Sequence, residues 1–180
     1  MLLLNAITAL FSITALAAPA SLSINEPRAT LKERASPIRI HLSSNPKVCL
    51  GSWFHENGGP VQLVKCTDPA SKLRVEGDMF RFGAPPGGPT CLDVAKGDPT
   101  NPAQNWECNP DNPNQQFVWY GSGTGSMNFG WRGPGQYCLT VTPSWIYNDG
   151  PVLAGQNVGF TPCDPNDSLQ KWEWSEYWDF

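Results

Sequence analysis

Three times along this chain the dipeptide Cys-Leu opens a segment that ends on a second cysteine: Cys49-Leu50 with Cys66, Cys91-Leu92 with Cys108, and Cys138-Leu139 with Cys163. The openings are 42 and 47 residues apart. A unit of that length cannot bury a hydrophobic face alone, so a recurrence at this period means an array whose members pack around a shared core. Each unit runs from the Cys-Leu opening through a turn rich in Gly, Pro and Asn to a short strand ending on Cys, then a polar loop and a last strand. Ahead of the openings stand Ile38-Arg39-Ile40-His41-Leu42, Met79-Phe80-Arg81-Phe82 and Met127-Asn128-Phe129-Gly130-Trp131. Their apolar residues recur at period two, the mark of half-buried strands. Four short strands per unit predict about twelve in all and an all-β fold. The composition agrees, with 16% charged residues, 17 Gly, 18 Pro and eight Trp, a turn-rich chain with little helix-forming material.

Cys49 and Cys66 are 17 residues apart, as are Cys91 and Cys108; Cys138 and Cys163 are 25 apart, the excess lying in a loop with Trp145 and Tyr147. This spacing predicts three local disulfides, one per repeat; pairing between repeats is the alternative. A zinc site is not expected, because there is no CxxC pair and only His41 and His55 are available. The first residues, MLLLNAITALFSITALAAPA, are apolar and uncharged and end in small residues. They read as a secretory signal peptide over 1–17, against the alternative of a retained membrane anchor, and an oxidising, extracellular destination fits six cysteines. Residues 18–36 are polar without β periodicity and read as a linker or pro-segment, with Lys32-Glu33-Arg34 an imperfect processing site. The folded domain is then 37–180, with repeats at about 37–83, 84–130 and 131–180. A net charge of −4 with scattered Lys and Arg argues against nucleic acid as a partner, and no later segment is apolar enough to insert in a membrane. Three four-stranded units closed on one another give a β-trefoil; a three-bladed assembly would leave open strand edges.

Repeat two carries Cys91-Leu92-Asp93-Val94, then Gln104-Asn105-Trp106-Glu107-Cys108, then Asn114-Gln115-Gln116-Phe117, and repeat three carries Gln170-Lys171-Trp172. These motifs resemble the ricin-B-type (QxW) β-trefoil lectins over about residues 37–180, with Phe117 in place of the usual last Trp. The resemblance implies a shallow sugar pocket within a repeat, and the chemistry of repeat two suits one. The Asp93 carboxylate accepts charge-assisted hydrogen bonds from neighbouring sugar hydroxyls, Asn114 supplies an amide, and Trp106 covers the apolar face of the ring. Gln104 adds a polar contact or supports Asp93, and Gln115 holds the loop. In the blander alternative Asp93 bonds turn amides, Trp106 is core and Asn114 is only a turn former.

The other repeats are depleted. Repeat one has Gly51 at the Asp93 position, Val64 at that of Trp106, and Ser71 near that of Asn114. Repeat three has Thr140, Thr161 and Leu169, while its long loop carries Trp145, Tyr147 and Asp149. The expectation is a secreted, non-enzymatic lectin without cofactor that binds galactose-type glycans or glycoproteins through repeat two, either as a weak monovalent binder or with avidity gained by self-association. The alternative is a secreted trefoil that binds a protein, as a protease inhibitor or effector. No hydrolase, zinc-protease or phosphate-loop motif is present, and nothing sets Glu107 and Asp111 across a cleft. Asn166-Asp167-Ser168 is a glycosylation sequon.

Overall fold

The period-two segments and the stretches around each cysteine all form strands. The computed structural model describes residues 34–54, 56–83, 90–120, 127–133, 135–142 and 153–176. The signal peptide, most of the 18–36 segment, His55 and the loop with Trp145, Tyr147 and Asp149 lie outside the described residues. Repeat one contributes β1 (Arg34–Leu42), β2 (Asn45–Gly51), β3 (Gln62–Lys65) and β4 (Leu73–Glu76). Repeat two contributes β5 (Met79–Phe82), β6 (Thr90–Val94), β7 (Ala103–Glu107) and β8 (Phe117–Tyr120). Repeat three contributes β9 (Met127–Trp131), β10 (Tyr137–Val141), β11 (Val158–Pro162) and β12 (Lys171–Glu176). Strand β1 takes in residues 34–36, which the sequence had assigned to the linker, and Arg34 pairs with Val75 of β4. The helical turns among the described residues are single 3-10 turns: η1 (Pro69–Ser71), η2 (Ala95–Gly97), η3 (Pro113–Gln115) and η4 (Ser168–Gln170).

The first and last strands of the repeats make a barrel. β1 pairs antiparallel with β12 and with β4, β4 with β5, β8 with β9, and β9 with β12. Between β5 and β8 the Phe117 N–H donates to the Asp78 carbonyl at 2.9 Å. The middle strands form three hairpins, β2–β3, β6–β7 and β10–β11, with registers Cys49↔Val64, Cys91↔Trp106 and Cys138↔Thr161. This is a β-trefoil. Each hairpin carries its own disulfide, Cys49–Cys66, Cys91–Cys108 and Cys138–Cys163, which settles the pairing as local.

The hairpins meet about the threefold axis. Counted back from the second cysteine, Val61, Ala103 and Val158 are equivalent. The Val61 N–H donates to Ala103 O at 3.2 Å and the Val158 N–H to Val61 O at 3.3 Å. All three residues are buried. The barrel interior is filled by equivalent positions of graded size: Leu42, Phe82 and Trp131 in one set, Leu73, Phe117 and Trp172 in another. Phe117 stacks on Phe160 with centroids 5.9 Å apart, so it keeps the core role of the residue it replaces. The tryptophans of these two sets satisfy their indole N–H groups: Trp172 Nε1 donates to Leu139 O and Trp131 Nε1 to Pro113 O, both at 2.9 Å. The second bond ties the core of repeat three to η3 of repeat two.

Trp172→Ala should lower stability by about 3–5 kcal/mol, because it empties the largest buried site of the barrel. Equilibrium urea unfolding should show this loss to exceed that of Leu73→Ala, the equivalent truncation in repeat one.

Candidate functional site

Alternation along the β6–β7 hairpin sends Leu92, Val94 and Ala103 into the core and puts Cys91, Asp93, Gln104 and Trp106 on the opposite face. Asp93 lies directly across from Gln104, and Cys91 across from Trp106. A loop from Cys108 onward folds over this face and ends in η3. Its conformation is written locally: Asn112 has an extended backbone and its Oδ1 accepts from the Asn114 N–H at 3.0 Å. Pro113 follows where a helical turn has no use for an N–H.

This turn delivers two amides to Asp93, which is only 2% exposed. Asn112 Nδ2 donates to Asp93 Oδ2 at 3.1 Å and Gln115 Nε2 to the same oxygen at 3.2 Å. Gln104 Nε2 donates to Oδ1 at 2.9 Å from across the hairpin. Gln115 is fully buried and also holds the loop, donating to Glu107 O and accepting from the Asn109 N–H, both at 2.9 Å. Burial pushes the Asp93 carboxyl above its ordinary 3.8, and the bonds from Gln104, Gln115 and Asn112 pull against this without cancelling it. A carboxylate offers about four lone-pair sites. Two amides occupy Oδ2 and one occupies Oδ1, so a single acceptor position is left, on Oδ1.

Trp106 is 41% exposed and is therefore not core. Asn114 is half-buried and makes no bond to Asp93. Its Oδ1 lies against Gly97 of η2, where a Cβ would come within 2.9 Å. Gly97 has φ +67 and Lys96 before it φ +57, so η2 approaches Asn114 on a left-handed backbone that the glycine permits. The amide that touches the carboxylate is Asn112, which sequence reasoning missed. A signal was available: Asn112 aligns with Asp68 and Asp167 at the cap of η1 and η4, and only in the repeat holding Asp93 does that position carry an N–H donor. Among the described residues no three His, Cys, Asp or Glu side chains gather as a metal site requires.

The other two repeats lose the site in different ways. A Cβ on Gly51 would fall 2.5 Å from Val64 Cγ2 and 2.6 Å from the Ala70 carbonyl oxygen. Repeat one therefore has no room for any side chain where repeat two has Asp93. Ser71 sits at the position of Gln115, and Ala70 at that of Asn114, a correction to the sequence alignment. Ser71 Oγ serves only the local loop, bonding Asp68 O at 2.7 Å and Cys66 O at 3.1 Å. In repeat three Gln170 keeps the loop-holding role, donating to Pro162 O at 3.0 Å and accepting from the Asp164 N–H at 2.8 Å. Its Nε2 also donates to Thr161 Oγ1 at 2.7 Å, where the equivalent Gln115 group meets a carboxylate. Gly51→Asp should therefore create no second site. It should cost about 1–3 kcal/mol by overpacking, read as a fall in urea midpoint with ligand stoichiometry unchanged.

No protein-family model matches the chain, and no curated protein matches it. Solved structures do. The designed threefold-symmetric protein ThreeFoil superposes with a TM-score of 0.60 at 16% identity, over 77% of this chain and 96% of that one. The C-half of the earthworm R-type lectin, solved in complex with GalNAc, gives 0.57 at 13% identity over 79% and 99%. The β-trefoil lectin of the Vibrio vulnificus hemolysin/cytolysin, with N-acetyl-D-lactosamine bound, gives 0.52 at 19% identity over 78% and 93%. At these identities the likeness is one of fold, and the fold shared by all three with this chain is the β-trefoil.

Proposed function

We propose that this protein is a secreted lectin that binds a galactose-type sugar at the repeat-two face, through Asp93, Gln104, Trp106, Asn114 and Gln115 with Asn112 added. The observation that carries the reading is a carboxylate held by three amide donors, with one acceptor position not used by them, on the same hairpin face as an exposed indole. The remaining acceptor position on Asp93 Oδ1 takes one sugar hydroxyl in a charge-assisted bond, about three fewer than a free carboxylate would allow. Trp106 covers the C–H face of the ring. Asn114, in η3 against Gly97 of η2, offers a donor and an acceptor to a second hydroxyl. Gln104, Gln115 and Asn112 act from beneath, fixing the carboxylate in place before ligand arrives. The choice of galactose-type sugars draws on the ligands of the earthworm and Vibrio proteins. Secretion draws on the apolar N-terminal segment and the three disulfides. No catalytic role is assigned.

One shallow site of this kind gives a Kd of about 1 mM to tens of micromolar, roughly −4 to −6 kcal/mol, so firm attachment to a surface relies on several molecules acting together. A glycan array with the disulfide-bonded protein tests the reading. Trp106→Ala should weaken binding about tenfold and leave thermal unfolding unchanged, since the ring is exposed. Asp93→Ala should abolish binding while costing about 1–3 kcal/mol for the buried amides it strands. Retained binding by both variants would sink the assignment.

Acid should act on ligand and fold in opposite directions. Sugar binding needs the ionised Asp93, so affinity should begin to fall at a pH above that of an ordinary aspartate. The raised folded pKa means that Asp93's contribution to stability is fully present below 3.8 and is lost as pH rises through the folded value. Calorimetric titration across the acid range should show binding disappear in the wild type with a midpoint above 3.8.

A further inference from the structure

We infer that the protein carries an N-linked oligosaccharide on Asn166, in the third repeat; the inference rests on the secretion part of the reading above. Asn166-Asp167-Ser168 has the acceptor pattern, and no other asparagine in the chain is followed two residues later by Ser or Thr. A glycan is bulky and hydrophilic, so its acceptor has to stand in water once the chain has folded. The fold puts the tripeptide on the loop between β11 and η4, just beyond the disulfide at Cys163. Asp164, Pro165, Asn166 and Ser168 are all exposed. The main chain there is fixed: the Asn166 N–H donates to Asp164 Oδ1 at 2.8 Å and the Asp167 N–H to Asp164 O at 3.2 Å. Asp167 Oδ1 accepts from the Leu169 N–H at 2.8 Å. Among the described residues the Asn166 carboxamide and the Ser168 hydroxyl have no hydrogen-bond partner. A substituent on Asn166 Nδ2 therefore costs the fold no bond.

The place of this loop in the threefold frame suits a permanent substituent. Gln170 and Gln115 are equivalent, which aligns Asn166 with Asp111 and Asp167 with Asn112. In repeat two Asn112 touches Asp93, and a glycan on the residue before it would be rooted next to a side chain of the sugar site. In repeat three Asp167 caps η4 and Thr140 stands where the acid would be. The glycan is thus rooted on the loop of a repeat without the acid, and the loop that serves Asp93 stays unmodified. The chemistry is transfer of an oligosaccharide from a lipid pyrophosphate donor. Asn166 Nδ2 bonds to the anomeric carbon of the first sugar as the bond from that carbon to the pyrophosphate oxygen breaks. The lipid pyrophosphate leaves with the bonding pair, and the amide gives up one proton.

Expression of the full chain, with its own N-terminal segment, in a eukaryotic secretory host tests this. Protein recovered from the medium should have a mass above that of the polypeptide and fall to the polypeptide value on treatment with peptide N-glycosidase. Peptide mapping after that treatment should find aspartate in place of Asn166. Asn166→Gln and Ser168→Ala should each be secreted and lose the added mass completely, whereas Ser168→Thr should keep it, because either hydroxyl satisfies the acceptor pattern. Wild type secreted at the bare polypeptide mass, or an added mass that survives both Asn166→Gln and Ser168→Ala, overturns the glycan and leaves secretion standing. A chain retained in the cell at the bare mass overturns both.

Discussion

The meeting of β3, β7 and β11 at Val61, Ala103 and Val158 is the contact on which the rest of the molecule depends. No repeat is large enough to bury its own apolar face, and the hydrogen bonds at this point tie the three hairpins into one layer over the barrel. The same contact fixes what lies next to what. Once Val61 is bonded to Ala103, the chain preceding Val61 has to run along β7, so the loop of repeat one becomes a wall of repeat two. The neighbourhood of the candidate site is thus a product of the assembly and belongs to no single repeat.

Graded side-chain size shows how a threefold frame tolerates unequal repeats. At two sets of equivalent positions repeat one places Leu, repeat two Phe and repeat three Trp. The space at the centre is shared, so a small residue from one repeat is compensated by a large one from another. Trp131 does more than fill space, because its indole N–H holds the carbonyl of Pro113 and hence the turn that presents Asn112 and Gln115 to Asp93. Packing in the third repeat supports geometry in the second.

Much of this was legible in the residues. The Cys-Leu openings and the period-two segments located strands in every repeat, and Asp93, Gln104 and Trp106 stood out because they occupy one face of a hairpin whose register the cysteines indicate. Loops were harder. The sequence reading set Ser71 near the Asn114 position, but repeat one reaches Leu73 seven residues after Cys66, whereas repeat two reaches Phe117 nine after Cys108. The shorter loop moves Ser71 to the Gln115 position. Asn112 escaped notice because an Asn before a Pro reads as a cap, and its second task depends on a carboxylate nineteen residues away. Burial of Asp93 was also invisible, and with it the fact that three of its acceptor positions are already used.

Repeats one and three lack the acid of Asp93 for different physical reasons. In repeat three the obstacles are side chains, Thr140 and Thr161, set in a loop frame that Gln170 still maintains. In repeat one the obstacle is main chain: the carbonyl of Ala70 occupies the volume where an acid would stand. A side chain is exchanged by a single codon, whereas a displaced carbonyl requires a different loop. A second acid of the Asp93 kind is therefore within reach of substitution at the third repeat and out of reach at the first.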